Sequence, residues 1–211
     1  MYLKDSGHGQ PFDYDTSRDV IITNDYKDYA IYGTTKYGSS TGLMGIKFSK
    51  VDRGGTYSKL FSYNLNVKEP MPILDNSHKI FGTIRGTTVK LYDYNYDTLK
   101  NGKMNFSKPK WQFTLKRSDP TKYSDGSTIS SQGFTVYNGF IYELSGGYGK
   151  AAYVEAFDFY GNSVYKIKLA NGYSTANSRE GEGIKVYNNN IYILSTYAVN
   201  GNRKVDLGYY N

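Results

Sequence analysis

The chain has 211 residues and a formal charge of +7, so an anionic partner is expected. There is no Cys and only two His, which excludes a disulfide scaffold, a thiolate metal site, a Cys nucleophile and most imidazole chemistry. Tyr supplies 24 residues, so the core must use rings that are apolar in body and polar at the tip.

The segments read in chain order as strands. MYLKDSGHGQ lacks the apolar stretch of a signal peptide, and no run is long and apolar enough to span a membrane. A protein acting outside a cell would then be a piece of a longer chain or be released without that signal. Period-two alternation appears in DVIITNDY, YAIYGTT, TVKLYDYNY, FTVYN, FIYELS and KVYNNNIYILS. In TVKLYDYNY it places Leu91, Asp93 and Asn95 on one face and Tyr92, Tyr94 and Tyr96 on the other. Turn clusters such as YGSSTG, NGK, YGN and VNGN separate the runs. Helix should be nearly absent.

Repeats select the architecture. Residues 133–145 and 183–195 match at eight of thirteen positions with an offset of 50. Weaker echoes at Phe12 and Ile73 extend the series, with offsets of 61, 61 and 50 across Phe12, Ile73, Phe134 and Ile184. Such spacing predicts an all-β chain, a β-propeller of four-stranded antiparallel blades. Four repeats are visible and five blades are expected, with MYLKD able to lend a closing strand to the last blade. No linker divides the chain, so residues 1–211 read as one domain. A sandwich of chance-similar hairpins is the competing reading.

Local motifs carry little chemistry. GSSTG at 38–42 fits a nucleophile elbow, but a strand follows where a helix is required. Asp93, Asn95 and Asp97 begin a calcium-loop pattern that fails at Thr98 and Met104. No phosphate-cradling Gly motif is present, and neither metal nor cofactor is expected.

Two constellations remain. Aligned on the repeats, Gln10, Met71, Gln132 and Glu182 fall in one column, with His8, Glu69, Ser130 and Glu180 two residues earlier and Arg179 adjacent. In a propeller these positions open the innermost strands and converge on one mouth of the channel. There His8, Gln10, Glu69, Gln132, Arg179, Glu180 and Glu182 could bind a hydroxyl-rich ligand or bond backbone between blades. The second constellation runs from Lys100 to Lys122, with seven Lys or Arg against Asp119. Alternation places Lys110, Gln112 and Thr114 outward and Trp111, Phe113 and Leu115 inward. Lys108, Lys110, Lys116 and Arg117 then offer a cationic face to a phosphate-rich polymer, or are simply solvated lysines of a strand. Nucleic acid is not expected, because the charge is dispersed and no DNA- or RNA-binding motif appears.

DSGHGQPFDYDTSRDVIIT, SSQGFTVYNGFIYELSGGYG and SREGEGIKVYNNNIYILSTY resemble propellers of Gram-positive phage tail receptor-binding proteins. They resemble equally the teichoic-acid-associated extracellular propellers and the helveticin-J-type bacteriocins. The resemblance spans most of residues 8–211 and is weakest in the middle third. It implies a non-catalytic module that recognises a Gram-positive cell-surface glycopolymer, wall teichoic acid foremost, outside the cell or on a virion. It also implies a homo-oligomer if the chain belongs to a phage tail. Family members carry a fifth blade and N-terminal segments that this chain largely lacks, which fits a fragment or a compact member. A bacteriocin acting at the bacterial surface and a propeller-scaffold carbohydrate-active enzyme are the alternatives. For the enzyme, only Glu180 and Glu182 suggest the paired carboxylates of a glycosidase.

Overall fold

The computed structural model describes residues 12–25, 42–51, 57–65, 70–169, 179–199 and 202–210. The chain divides into two compact units, Met1–Gln112 and Phe113–Asn211, with the division inside a strand.

The first unit contains β1 (Phe12–Asp15), β2 (Val20–Asp25), β3 (Gly42–Lys47) and β4 (Lys59–Asn64), paired in that order. A second sheet follows from β5 (Met71–Asp75), β6 (Ile80–Arg85), β7 (Thr88–Asp93) and β8 (Trp111–Thr114). The second unit contains β9 (Ser130–Tyr137), β10 (Phe140–Gly146), β11 (Tyr153–Phe157) and β12 (Ser163–Lys168). Its other sheet has three strands, β13 (Glu180–Tyr187), β14 (Asn190–Val199) and β15 (Asn202–Tyr210). Strand order within each sheet follows chain order, so all four sheets are meanders of the kind that forms a propeller blade. The all-β expectation and the four repeats therefore hold. Four sheets, not five, stand among the described residues. The MYLKD strand and YAIYGTT lie outside those residues, as do positions 38–41 of the Gly-Ser motif.

Helix is indeed scarce: α1 (Tyr96–Lys100) is five residues long. Its presence corrects the reading of TVKLYDYNY. The alternation stops at Asp93, because the Asn95 side chain accepts the Thr98 N–H and starts a helix there. Asn95 and Asp97 thus belong to a capped turn rather than to a strand face.

The repeats also need one correction. Asp15 pairs with Val20 and Asp75 with Ile80 across equivalent four-residue turns. In each turn the aspartate Oδ1 accepts the N–H and the hydroxyl of a serine two residues on, Ser17 or Ser77. A positive-φ residue, Asp19 or Lys79, then closes the turn. The offset between the first two repeats is therefore 60, so Asp13, not Phe12, corresponds to Ile73. A slip of one residue exchanges the faces of a strand. The column that joined Gln10 to Met71 and His8 to Glu69 consequently does not hold.

The offset of 50 does hold, down to a shared irregularity. Gln132 and Glu182 are the extra residues where the β9–β10 and β13–β14 registers shift. Gly133 and Gly183 meet where β9 runs beside β13: a Cβ on Gly133 would lie 3.2 Å from the Gly183 Cα. That approach is tighter than an ordinary Cβ contact, so a side chain at Gly133 would have to push the β13 backbone back.

Each unit has its own core. In the first, Val20, Ile22, Leu43, Phe61, Leu74 and Phe81 pack with Tyr92, Tyr94 and Leu99. In the second, Leu144, Ala152, Val154 and Leu169 pack with Ile184 and Ile193. The expected tyrosine-rich interior is realised with its polar tips satisfied. The Tyr94 hydroxyl donates to Asp15 Oδ2 at 2.6 Å, Tyr63 to the Leu99 carbonyl at 2.8 Å and Tyr92 to the Phe106 carbonyl at 3.0 Å. No helix among the described residues is long and apolar enough to cross a membrane.

Candidate functional site

Of the predicted channel-mouth residues, His8, Gln10 and Glu69 lie outside the described residues. The structure brings the other four together at the start of the last sheet. Gln132 is buried, and its Nε2 donates to the Gly146 carbonyl at 3.3 Å and to Glu180 Oε1 at 3.4 Å. Glu182 Oε1 accepts the Thr196 hydroxyl at 2.8 Å. Arg179 pairs with Asp206 at 3.0 Å and sits 5.0 Å from the Tyr197 ring centroid. Nearby Tyr123 is pushed up to about 12, by burial first and then by Tyr153, Asp125 and Glu180. Each of these side chains has a protein partner, although the buried Nε of Arg179 has no hydrogen-bond partner among the described residues. The cluster fastens neighbouring strands of the second unit.

The basic segment separates into two kinds of cation. Lys110, Gln112 and Thr114 are exposed, Trp111 and Phe113 half-buried and Leu115 buried, as the alternation predicts. Lys110 Nζ lies 2.6 Å from Asp93 Oδ1 and 4.6 Å from the Trp111 ring centroid. Both ends of that ion pair are exposed, so it is worth little and can be exchanged for a ligand. Lys108 is exposed, and Lys116 is exposed with its Nζ on Asn162 Oδ1 at 2.9 Å.

Arg117 differs. Its guanidinium is turned inward, pairing with the fully buried Glu143 and bonding the Ser131 hydroxyl. It is a component of the interior, not of the cationic face.

Sequence reasoning missed this interior network. Glu143 and Glu155 stand directly opposite one another on β10 and β11, at 0% and 1% exposure. Burial raises the Glu143 carboxyl above its ordinary range against the pull of Arg117 and Ser131. Burial also acts on Glu155, but donation from the Ser118 N–H and hydroxyl, Ser163 and Lys166 outweighs it and holds that carboxyl low. Lys166 Nζ reaches Glu155 Oε2 at 3.2 Å and the carbonyls of Ser118 and Pro120 at 2.7 and 2.9 Å. Two carboxylates pushed apart in this way resemble an acid–base pair. Here, however, both are sealed from solvent, and each is held by its own cation. The signal that could have revealed them is an acidic residue at an inward position of an otherwise apolar strand, as in FIYELS and YVEAF.

Lys108 and Lys110 line an open groove of about 230 Å³ in the first unit, together with Tyr92, Asp93, Thr98, Met104 and Asn105. Tyr92 is also among the residues lining a larger groove of about 470 Å³, again within the first unit. Among the described residues no cluster of His, Cys, Asp or Glu is arranged to hold a metal.

No protein-family model matches the chain, and no curated protein matches it. Among solved structures it is similar to a GH43 endo-arabinanase from Bacillus licheniformis, with 12% identity and a TM-score of 0.45, over 94% of this chain and 71% of that one. It is also similar to the computationally designed Ika4 protein, with 10% identity and a TM-score of 0.37, over 93% of this chain and 88% of that one. For the computationally designed Ika8 protein the identity is 10% and the TM-score 0.38, and 93% of this chain spans 44% of that one.

Proposed function

We propose that this chain is a non-catalytic module that binds an anionic cell-surface glycopolymer, with Gram-positive wall teichoic acid as the ligand and the extracellular space or a virion surface as its place of action. The four sheets are read as blades of a propeller, the scaffold that the family resemblance implies. The observation that carries the reading is the open groove lined by Lys108 and Lys110, with Asp93 as an exposed and exchangeable partner of Lys110. Lysines there supply exchangeable charge to phosphate. The net charge of +7 favours the same class of partner. The reading is non-catalytic because Glu143 and Glu155 are sealed, while Glu180 and Glu182 are engaged by Gln132 and Thr196.

A pull-down of the purified chain on Gram-positive cell walls, before and after teichoic acid is stripped, tests this. Retention on intact walls and its loss after stripping are expected. Undiminished retention on stripped walls would contradict it. So would glycan turnover that disappears in Glu180→Gln or Glu182→Gln.

A further inference from the structure

The larger groove has a composition that assigns it a ligand class. On the β6–β7 hairpin, Thr83 stands opposite Lys90 and Arg85 opposite Thr88. Alternation puts Thr83 and Arg85 of β6 on the same face as Thr88, Lys90 and Tyr92 of β7. That face changes character along its length. At one end Phe81 opposes Tyr92 within the core; toward the turn the pairs become hydroxyl with ammonium, then guanidinium with hydroxyl. Leu65, Phe106 and Ser107 cover the face and make it a groove. Phe106 is fixed there by edge contacts with Tyr92 and Phe81, at 5.3 and 6.3 Å between centroids, and by the Tyr92 hydroxyl on its carbonyl.

The electrostatics are one-sided. Among the described residues, Arg85 and Lys90 line the groove and no carboxylate does. Arg85 is exposed, and neither cation is paired with an acid among the described residues. Two neighbouring cations without a counter-charge repel one another, and an anion between them relieves that. The volume, about 470 Å³, falls in the range of small-molecule sites, whereas the neighbouring groove is too small to hold more than part of such a ligand. Tyr92 is among the residues lining both grooves.

We infer that the groove between Arg85, Lys90 and Phe106 is a phosphodiester subsite, holding one phosphate and its attached polyol or sugar, with the next phosphate of the polymer reaching Lys108 and Lys110. Arg85 presents a planar fork suited to two phosphate oxygens, and Lys90 acts as a point charge on the same group. Thr88 and Ser107 are placed to bond hydroxyls of the polyol, whose carbon backbone lies along Phe106. This deepens the glycopolymer reading and rests on it for the polymer, but not for the phosphate.

The test is an NMR titration of the full chain with glycerol 3-phosphate, with a poly(glycerol phosphate) oligomer and with neutral dextran. Glycerol 3-phosphate should shift the amides of Arg85, Thr88, Lys90 and Ser107, and dextran should not. Arg85→Gln and Lys90→Gln should each weaken oligomer binding about tenfold. Arg85→Lys should weaken it about threefold, since charge remains and the fork is lost. An unchanged thermal midpoint shows that each variant is folded. Oligomer affinity unaffected by Arg85→Gln or Lys90→Gln would overturn the subsite, even if wall retention persisted and the module reading survived. Glycerol 3-phosphate shifts without wall retention would leave the subsite standing and remove the polymer. Equal binding of a single-stranded oligonucleotide with the same number of phosphates would overturn the glycopolymer assignment.

Discussion

Arg117 and Lys166 in the second unit and Arg85, Lys90, Lys108 and Lys110 in the first are cations of similar type in opposite circumstances. The first two side chains are 19% and 9% exposed and are bound to carboxylates inside the protein. The others line open grooves, with Asp93 as the one acid lining either groove among the described residues. A buried cation is committed to its partner, because either charge left alone in the interior is costly. A cation at a groove wall, even Lys110 with its exposed Asp93 partner, can exchange that partner for an anion in solution. Charge counted along a sequence does not make this distinction. In the Lys100–Lys122 segment it merged Arg117 with Lys108 and Lys110, although the structure gives them different surroundings.

The comparison breaks most visibly at Arg117. Arg117→Ala leaves Glu143 buried without its partner and should destabilise the chain by about 3–5 kcal/mol, measured by urea unfolding. Wall retention per folded molecule should not change. A variant of normal stability that no longer binds walls would move Arg117 into the ligand site.

Glu155→Gln should cost about 3 kcal/mol at neutral pH, since Lys166 then loses its carboxylate. It should also change the response to acid. The folded carboxyl of Glu155 is held below its ordinary value of 4.5, so its contribution is complete above that value and is lost as pH falls through the lowered one. Glu143 acts in the opposite sense: its folded carboxyl is raised, so its ionisation costs stability as pH rises from 4.5 through the raised value. Unfolding curves of wild type and Glu155→Gln should therefore converge as pH falls below 4.5. A constant difference across that range would mean that Glu155 does not titrate against the fold.

Trp111→Ala should cost about 2 kcal/mol, below the 3–5 kcal/mol usual for a fully buried aromatic, because the ring is only half-buried, with the Lys110 ammonium over it. A thermal melt decides it, and a loss above 4 kcal/mol would place Trp111 in the core. The smallest stability effect belongs to Lys110→Glu, within about half a kcal/mol as at other exposed sites. Its consequence should instead appear in wall binding at low salt.

Much of the fold was legible because strand alternation and tight turns are local. Asn138-Gly139 and Asn188-Asn189 all take positive φ, and residues that tolerate it at a constant offset revealed the related hairpins of the second unit. The register of the first unit was misread by one residue because the apolar anchors were matched before the turns. The Asp-x-Ser turns DTSRD and DNSHK carry the correct offset of 60.

The site was less legible. Alternation placed Lys110 and Trp111 correctly on opposite faces, but it ends at Leu115 and so says nothing of Arg117, whose partner Glu143 lies 26 residues on. Arg85 and Lys90 were overlooked because each is a lone charge in its strand. Only the pairing of β6 with β7, and the return of the chain at Phe106, makes them one wall.

The central claim is that exposed cations of the first unit bind a polymer of phosphates. The most direct measurement is the affinity of the wild-type chain for purified teichoic acid as a function of salt. Phosphate contacts displace counterions, so log affinity should fall linearly with log salt, and Lys110→Glu should make that slope shallower. An affinity that does not change with salt, or a Lys110→Glu variant identical to wild type at every concentration, would contradict the account.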